Sequence, residues 1–316
     1  MLLCRPPRES SKPVLKIDFV DFGFIDKVNN FFVDLLQRHF TVAISDRPDL
    51  LFYSDTAGSH LHRLYSCKKV FWTGESTMPD FNVCDYAMTP RRIDDARHCR
   101  LPFYVVGTEC DAGDLVKKPA EADSVFAEKR RGCGAVISNT GKKAACRNRF
   151  FHKLAQRMDV HSGGRGFNNI GAPIPPGGNA KHEFIRQFRF NLCFENLSFP
   201  GYATEKLVEA MWARCIPIYW GDPEIAAQFN PRSFINVSDF DTEEAAIERI
   251  LQADSDDALY MEMLQQPFFH DNQPNEFFQL DRYADFLRSA IDSADPPVAH
   301  RRRSWFGRWR VAKRMH

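Results

Sequence analysis

The stretch that decides the fold is FNLCFENLSFPGYATEKLVEAMWARCIPIYWG, residues 190–221. Its two ends, residues 191–196 and 216–221, are short apolar runs of the kind that form buried strands. Between them, apolar residues recur with a 3.6-residue spacing after Thr204, a residue type that favours the N-cap of a helix. A strand, a helix and a second strand in this order predict a parallel pair with a crossover helix.

Similar patterns alternate on both sides of this unit. Further strands are predicted at residues 14–22, 41–45, 49–54, 68–75, 86–89 and 133–139, and further helices at residues 24–40, 146–158, 181–190, 241–253 and 280–291. Asp241 and Glu244 have the spacing of a capping box for the fourth of these helices. The charged segment 107–131 is predicted to connect two α/β domains. We therefore predict parallel-sheet domains at residues 1–125 and 126–295, followed by a basic tail, residues 296–316.

Composition limits the classes of function. The 316 residues are 44% hydrophobic and 26% charged, with a net charge of +1, as in an ordinary globular protein. Residues 301–316 hold seven Lys and Arg and no acid, which leaves 35 basic and 41 acidic residues in the rest of the chain. Because that body is mildly acidic, no nucleic-acid partner is expected.

The nine cysteines are scattered and form no C-x-x-C motif. The pattern predicts neither a zinc site nor a disulfide framework and favours a reducing compartment. The first residues contain no long apolar run, so neither a signal peptide nor a membrane-spanning segment is expected. The ten histidines show no metal-ligand spacing, and His60 and His62 are predicted to lie at the surface.

Lys206 is an unusual choice at the start of a helix. A helix N-terminus carries partial positive charge and favours anions, so a lysine there is useful when the ligand carries several negative charges. A diphosphate is such a ligand, and Arg147, also near a predicted helix start, supplies a second cation. Arg149 lies two residues further on and can serve the same purpose. The chain has neither a Walker A motif nor a strand-linked G-x-G-x-x-G.

Glu75 is the candidate general base. It follows Gly74 at the end of the apolar run VFWTGE, where a parallel sheet places its ligand-binding loops. The alternative is a solvated loop acid with no chemical role.

At these residues the chain resembles a known family. The run at residues 190–240, with its F-E-N and Y-x-T-E-K elements, is similar to the signature of the family-10 glycosyltransferases, the α1,3/4-fucosyltransferases. The likeness is greatest to bacterial members that make Lewis-type antigens. It extends back to VFWTGESTMPDFNVCDYAM, residues 70–88, and covers roughly residues 15–290.

The resemblance implies a GT-B fold, with two Rossmann-like domains facing a cleft. It also implies GDP-fucose as the donor, bound mainly by the second domain, and an acceptor that sits against the first domain. Glu75 would be the general base, with Arg147 and Lys206 at the diphosphate. Three more donor-binding positions are carried over by the motif: Asn196, Tyr202 and Glu205. The alternatives are that Asn196 simply caps or turns the chain and that Tyr202 only packs the loop.

The implied reaction is inverting transfer of fucose to the 3-hydroxyl of GlcNAc or Glc in an N-acetyllactosamine- or lactose-type acceptor, such as a lipopolysaccharide chain. Two alternatives stay open: a GT-B enzyme with another GDP-sugar or an α1,4 linkage, and a non-catalytic module that binds GDP or glycan. No obligatory cofactor or metal is expected, with stimulation by Mn²⁺ or Mg²⁺ left open.

The tail RRRSWFGRWRVAKRMH, residues 301–316, places aromatic residues near one face of a helix and basic residues on the remainder. That pattern suits an anionic membrane surface. We therefore expect a cytoplasmic bacterial protein associated peripherally with the inner face of the membrane, the alternative being a solubilising tail. The sequence does not predict the oligomeric state.

Overall fold

Two domains are present in the computed structural model, which describes residues 12–118 and 121–301. The N-terminal domain consists of residues 12–89, 93–100 and 279–301, and the C-terminal domain of residues 90–92, 101–118 and 121–278. This division differs from the predicted boundaries at residues 125 and 295. The chain passes to the C-terminal domain at residue 101 and returns to the N-terminal domain at residue 279. Each domain has its own parallel sheet.

The sheet of the N-terminal domain has six parallel strands in the order β2-β1-β3-β4-β5-β6. Its elements are β1 (Val14–Val20), α1 (Phe31–Gln37), β2 (Thr41–Ile44), β3 (Leu50–Tyr53), β4 (Lys68–Trp72), β5 (Tyr86–Thr89) and β6 (His98–Arg100). Phe19 on β1 and Phe52 on β3 stack with ring centroids 5.1 Å apart, and Phe32 of α1 packs against Phe52 at 4.8 Å. These rings fix the helix on the sheet.

Helix α1 is shorter than the predicted helix at residues 24–40. Asn30 has extended backbone geometry, and its side chain accepts hydrogen bonds from the backbone nitrogens of Phe32 and Val33. This cap starts the helix at Phe31. Val28, which contributes to the predicted apolar face, is 61% exposed and lies outside the helix.

The sheet of the C-terminal domain has five parallel strands in the order β11-β10-β9-β7-β8. Its elements are α2 (Phe103–Val106), α3 (Glu121–Glu128), β7 (Arg130–Ala135), α4 (Ala145–Ala155), β8 (Val160–Ser162), α5 (Gly178–Ile185), β9 (Phe188–Phe194), α6 (Glu205–Trp212), β10 (Ile216–Trp220), β11 (Ile235–Asn236), α7 (Glu243–Ser255) and α8 (Asp257–Gln265). All seven residues of the central strand β9 are buried. The strand–helix–strand unit that opens the sequence argument is β9, α6 and β10, with β9 and β10 paired in parallel.

The predicted capping box of α7 is wrong by one residue. Thr242, not Asp241, is the N-cap, and its hydroxyl accepts a hydrogen bond from the backbone nitrogen of Ala245 at 3.1 Å. The helix therefore starts at Glu243, and Glu244 is its second residue.

The end of the described chain belongs to the N-terminal domain. Helices α9 (Asp281–Asp292) and α10 (Val298–Arg301) follow the C-terminal domain in sequence. Tyr283 of α9 packs edge-on against Phe31 of α1 with centroids 6.1 Å apart. Lys68 at the start of β4 donates hydrogen bonds to the carbonyls of Ala290 and Ser293, which lie at the end of α9.

The predicted basic tail, residues 301–316, lies outside the described residues apart from Arg301, the last residue of α10. Within residues 12–118 and 121–301, every helix is too short or too polar to cross a bilayer.

Candidate active site

Glu195 lies at the carboxyl end of β9 and organises the start of α6. Its side chain is fully buried, and its carboxylate accepts the backbone N–H of Thr204 at 2.7 Å. The hydroxyl of Thr204 lies 2.8 Å from Glu195 Oε2 and donates to this carboxylate. Thr204 occupies the predicted N-cap position, but its side chain makes no cap hydrogen bond to the helix. The buried carboxylate therefore accepts both donors of Thr204, the backbone N–H and the hydroxyl, neither of which bonds within the helix.

Lys206 is held at the helix start by this carboxylate. Its Nζ lies 3.0 Å from Glu195 Oε2, 2.7 Å from Thr204 Oγ1 and 3.5 Å from Glu205 Oε1. Burial acts to lower the pKa of Lys206, but the charges of Glu195 and Glu205 outweigh it, so the pKa lies above its ordinary value. The ammonium is therefore charged, and 24% of the side chain remains exposed for a ligand.

Arg147 meets the same end of β9 from the side of α4. It is the third residue of that helix and only 4% exposed. Its guanidinium donates to the carbonyl of Phe194 at 3.4 Å, to Asn196 Oδ1 at 3.1 Å and to the carbonyl of Asn139. Burial lowers the pKa of Arg147, yet a guanidinium stays protonated in proteins. Its Nε is buried without a partner among the described residues.

Arg149 points elsewhere. Its side chain is 57% exposed and pairs with Glu243 at the start of α7, with an N–O distance of 2.6 Å. The two arginines that the sequence offered for a diphosphate therefore have different surroundings. Arg147 lies with Asn196 at the end of β9, whereas Arg149 joins two helices at the surface.

Tyr202 lies in the loop between β9 and α6 and is 2% exposed. Its ring stacks on Phe199 with centroids 4.6 Å apart, and the guanidinium of Arg91 lies 4.3 Å from the centroid of Phe199. Tyr202 therefore packs this loop, which was the alternative to a donor contact.

Sequence reasoning missed a second ion pair on α6. Lys181 of α5 binds Glu209, which lies one helical turn after Glu205. Burial acts to raise the pKa of Glu205, but Lys206 and Lys181 outweigh it, so this pKa is lowered.

Glu195 was also missed as a site residue. Its signal was a carboxylate that ends an apolar strand, where an unpaired charge would be costly.

Glu75 lies in the N-terminal domain, apart in sequence and domain from the other five predicted residues. It is exposed, three residues beyond the end of β4, and its backbone nitrogen donates to Thr73 Oγ1 at 3.0 Å. Since β4 is parallel to its neighbours, Glu75 follows the carboxyl edge of the sheet, as predicted.

No group of three or more His, Cys, Asp or Glu side chains suited to a metal ion occurs in the part of the chain that the structure describes.

Comparison with known proteins identifies the family. Residues 17–107 match the family model described as the alpha-(1,3)-fucosyltransferase FucT N-terminal domain. Residues 126–272 match the model described as glycosyltransferase family 10 (fucosyltransferase) C-term, so that the two matches cover most of the chain. The chain belongs to glycosyltransferase family 10. The family predicted from the sequence is confirmed.

Two curated family-10 relatives illustrate the similarity. Alpha-(1,3)-fucosyltransferase FucT of Helicobacter pylori is 30% identical over 294 residues, which is 80% of this chain and 60% of the relative. Alpha-(1,3)-fucosyltransferase 4 of Homo sapiens is 34% identical over 128 residues, which is 40% of this chain and 23% of the relative. The chain thus spans less than two thirds of the length of these relatives.

Solved family-10 structures match over nearly the whole chain. A crystal structure of an α1,3-fucosyltransferase with GDP-fucose aligns with a TM-score of 0.72 at 28% identity, covering 92% of this chain and 94% of that one. A structure with GDP aligns with a TM-score of 0.73 at 28% identity, covering 91% and 93%. Together with the two parallel sheets, this similarity confirms the predicted α/β fold of the GT-B class.

Proposed function

We propose that this protein is an α1,3-fucosyltransferase, which transfers L-fucose from GDP-β-L-fucose to the 3-hydroxyl of GlcNAc or Glc in a galactose-β1,4-GlcNAc- or lactose-type acceptor. The observation that carries the proposal is the cluster of two buried or half-buried cations at the end of β9, Lys206 and Arg147, in a chain whose family relatives include a structure with GDP-fucose. The cluster offers fixed positive charge and a helix N-terminus to a diphosphate.

In this proposal the acceptor hydroxyl attacks the anomeric carbon while the bond from that carbon to the diphosphate oxygen breaks. Glu75 takes the hydroxyl proton, and the configuration at the carbon inverts. Lys206 and Arg147 stabilise the charge that develops on the departing GDP. Asn196, Tyr202 and Glu205 contact the donor, and the transition state resembles an oxocarbenium ion.

The test measures GDP release from GDP-fucose with N-acetyllactosamine and with lactose. Wild type should show acceptor-dependent release, and Glu75→Gln should lose about 100-fold or more of kcat, because an amide cannot accept the proton. Asp46→Asn, an exposed carboxylate beyond β2 in the same domain, should retain wild-type rates.

Several outcomes would contradict the proposal. Preferred use of GDP-mannose, or an α1,4 linkage in the product, would favour another GT-B reaction. GDP binding without turnover on any acceptor would favour a binding module. Full activity of Glu75→Gln would remove Glu75 from the mechanism.

Two further properties belong to this proposal. The basic tail, residues 301–316, would hold the enzyme at the cytoplasmic face of an anionic bacterial membrane, where lipopolysaccharide-type acceptors are assembled. No metal is obligatory in this proposal, and stimulation by Mn²⁺ or Mg²⁺ is left open; adding EDTA, and then each ion, to the release assay tests both.

A further inference from the structure

An Asp–His pair lies at the carboxyl edge of the N-terminal sheet, where no role has been assigned. Asp21 follows β1, and His62 lies in the short helical turn after β3. The predicted surface position of His62 is wrong, because the residue is only 5% exposed. Its Nδ1 lies 2.6 Å from Asp21 Oδ2, and the other carboxylate oxygen accepts from Ser59 Oγ at 2.5 Å and the Leu61 backbone nitrogen at 2.8 Å.

This arrangement fixes the ring and its tautomer. Because Asp21 accepts a hydrogen bond at Nδ1, the neutral ring carries its proton there and leaves Nε2 as an acceptor. Tyr53 stacks on the ring with centroids 4.1 Å apart and prevents it from turning. Burial lowers the pKa of His62, although Asp21 acts to raise it, so the neutral form prevails near pH 7.

Nε2 has no hydrogen-bond partner in residues 12–118 and 121–301. This nitrogen is not fully buried, and it reaches the surface through the 7% of the side chain that is exposed. His62 therefore presents an oriented acceptor nitrogen to solvent.

The backbone around the pair is strained. Asp21 and His60 have positive φ angles of 62° and 57°, a left-handed conformation that is uncommon for residues other than glycine. Gly58, with φ of 66°, lies in the same region, which a glycine adopts without strain. Strain of this kind persists where surrounding contacts enforce it and is concentrated at functional sites.

The loops that carry the pair lie beside the loop that carries Glu75. Strands β1, β3 and β4 are neighbours in the sheet, so the loops after them lie side by side. The backbone nitrogen of Gly23 donates to Thr56 Oγ1 at 2.8 Å, and Thr77, two residues after Glu75, donates to Asp55.

These loops also expose large apolar side chains. Phe24 after β1 is 93% exposed, and Met78 after β4 is 55% exposed. An oriented polar atom and exposed apolar side chains on the same group of loops suit a glycan, whose rings offer both hydroxyls and C–H faces.

We propose that Asp21 and His62 form an acceptor subsite, in which His62 Nε2 accepts a hydrogen bond from one hydroxyl of the glycan acceptor. His62 is the binding residue, and Asp21 positions its ring. The inference rests on the proposed fucosyl transfer and deepens it, since it assigns acceptor recognition to residues outside the family signature that the sequence carries.

The first test is His62→Asn. The amide of asparagine can keep the hydrogen bond to Asp21 but has no atom at the position of Nε2. The acceptor KM should rise about tenfold, the loss expected for one hydrogen bond, while kcat and the donor KM stay within twofold. His39→Asn, the same change between α1 and β2 at the other edge of the same sheet, is the matched control and should leave all three constants unchanged.

A panel of monodeoxy acceptors identifies the hydroxyl. Wild type should bind one of them about tenfold more weakly, and His62→Asn should treat that analogue and the full acceptor alike. Asp21→Asn should weaken the same preference, because a neutral amide oxygen holds the proton on Nδ1 less firmly than a carboxylate does. A merely structural effect of either change would weaken all acceptors equally.

A measurement on the unmodified protein covers the case of a variant that does not fold. With ¹⁵N-labelled histidine, acceptor titration should shift the Nε2 resonance of His62 and leave its Nδ1 resonance nearly unchanged. A wild-type KM and deoxy profile in His62→Asn, a rise in KM in His39→Asn, or an unshifted Nε2 would each overturn the subsite while wild-type transfer continues. Absence of transfer by wild type would instead overturn the proposed function.

Discussion

Glu195 is the residue on which the cation cluster depends. Its carboxylate has no exposed surface and compensates the ammonium of Lys206 at 3.0 Å. Glu205 lies farther from that ammonium, at 3.5 Å, and is 21% exposed. Two acids adjacent to one lysine therefore differ in how much of their charge water can screen.

Replacing Glu195 by Gln should lower the free energy of unfolding by about 3 kcal/mol, because Lys206 would remain half-buried without its compensating charge. Glu205→Gln should cost less than about 1 kcal/mol, since its pair with Lys206 is longer and partly screened. Urea unfolding of both variants measures the difference. Equal losses in the free energy of unfolding would show that the burial of Glu195 does not make its pair with Lys206 the more stabilising one.

From the sequence, candidate site residues of the C-terminal domain were easier to name than the partners that hold them. Lys206 and Arg147 were identified because a cation near a helix start is unusual and therefore informative. The partner of Lys206 was not identified, since Glu195 lies eleven residues earlier and reaches it only through the path of the intervening loop. Local spacing cannot give such a path.

At the scale of elements, the loop after β10 supports the loop after β9. A Cβ atom placed on Gly221 would lie 2.5 Å from Glu195 Cγ and 2.6 Å from Tyr219 Oη. Both neighbours are buried, so neither can move without disturbing its own hydrogen bonds. The glycine is required by this close approach and not by its backbone angles.

Gly221→Ala should therefore destabilise the C-terminal domain by about 1–3 kcal/mol and weaken GDP binding, because the added methyl group displaces Glu195 and, with it, Lys206. Gly113→Ala is the control, since nothing lies within 4 Å of its added Cβ. Thermal unfolding and GDP titration of both variants test the argument. If Gly221→Ala bound GDP as wild type does, the loop contact would have no bearing on the cation cluster.

The elements that sequence patterns missed are short or capped in unexpected ways. Strands β8 and β11 have three and two residues, too few to show a periodicity. The predicted start of α1 was seven residues too early, because the cap at Asn30 overrides an apolar pattern that continues through exposed Val28. Tertiary pairing and caps, not periodicity, decided these boundaries.

At the scale of the whole molecule, the chain ends in the domain in which it began. The sequence predicted a helix at residues 280–291, and α9 is there, but its place in the N-terminal domain was not predicted. An amphipathic helix shows which face is buried and not which sheet buries it. The assignment depends on long-range contacts such as that between Lys68 and the end of α9.

Because α9 belongs to the N-terminal domain, a substitution in its buried face should destabilise that domain. Leu287 is fully buried, so Leu287→Ala should lower stability by about 2–5 kcal/mol through the cavity it leaves. Hydrogen exchange should quicken in β1 and β3–β5 and stay unchanged in β7, β9 and β10. Arg288→Ala, one residue along at a side chain that is 56% exposed, should change neither set. Faster exchange confined to β7, β9 and β10 in Leu287→Ala would show that α9 stabilises the C-terminal domain instead.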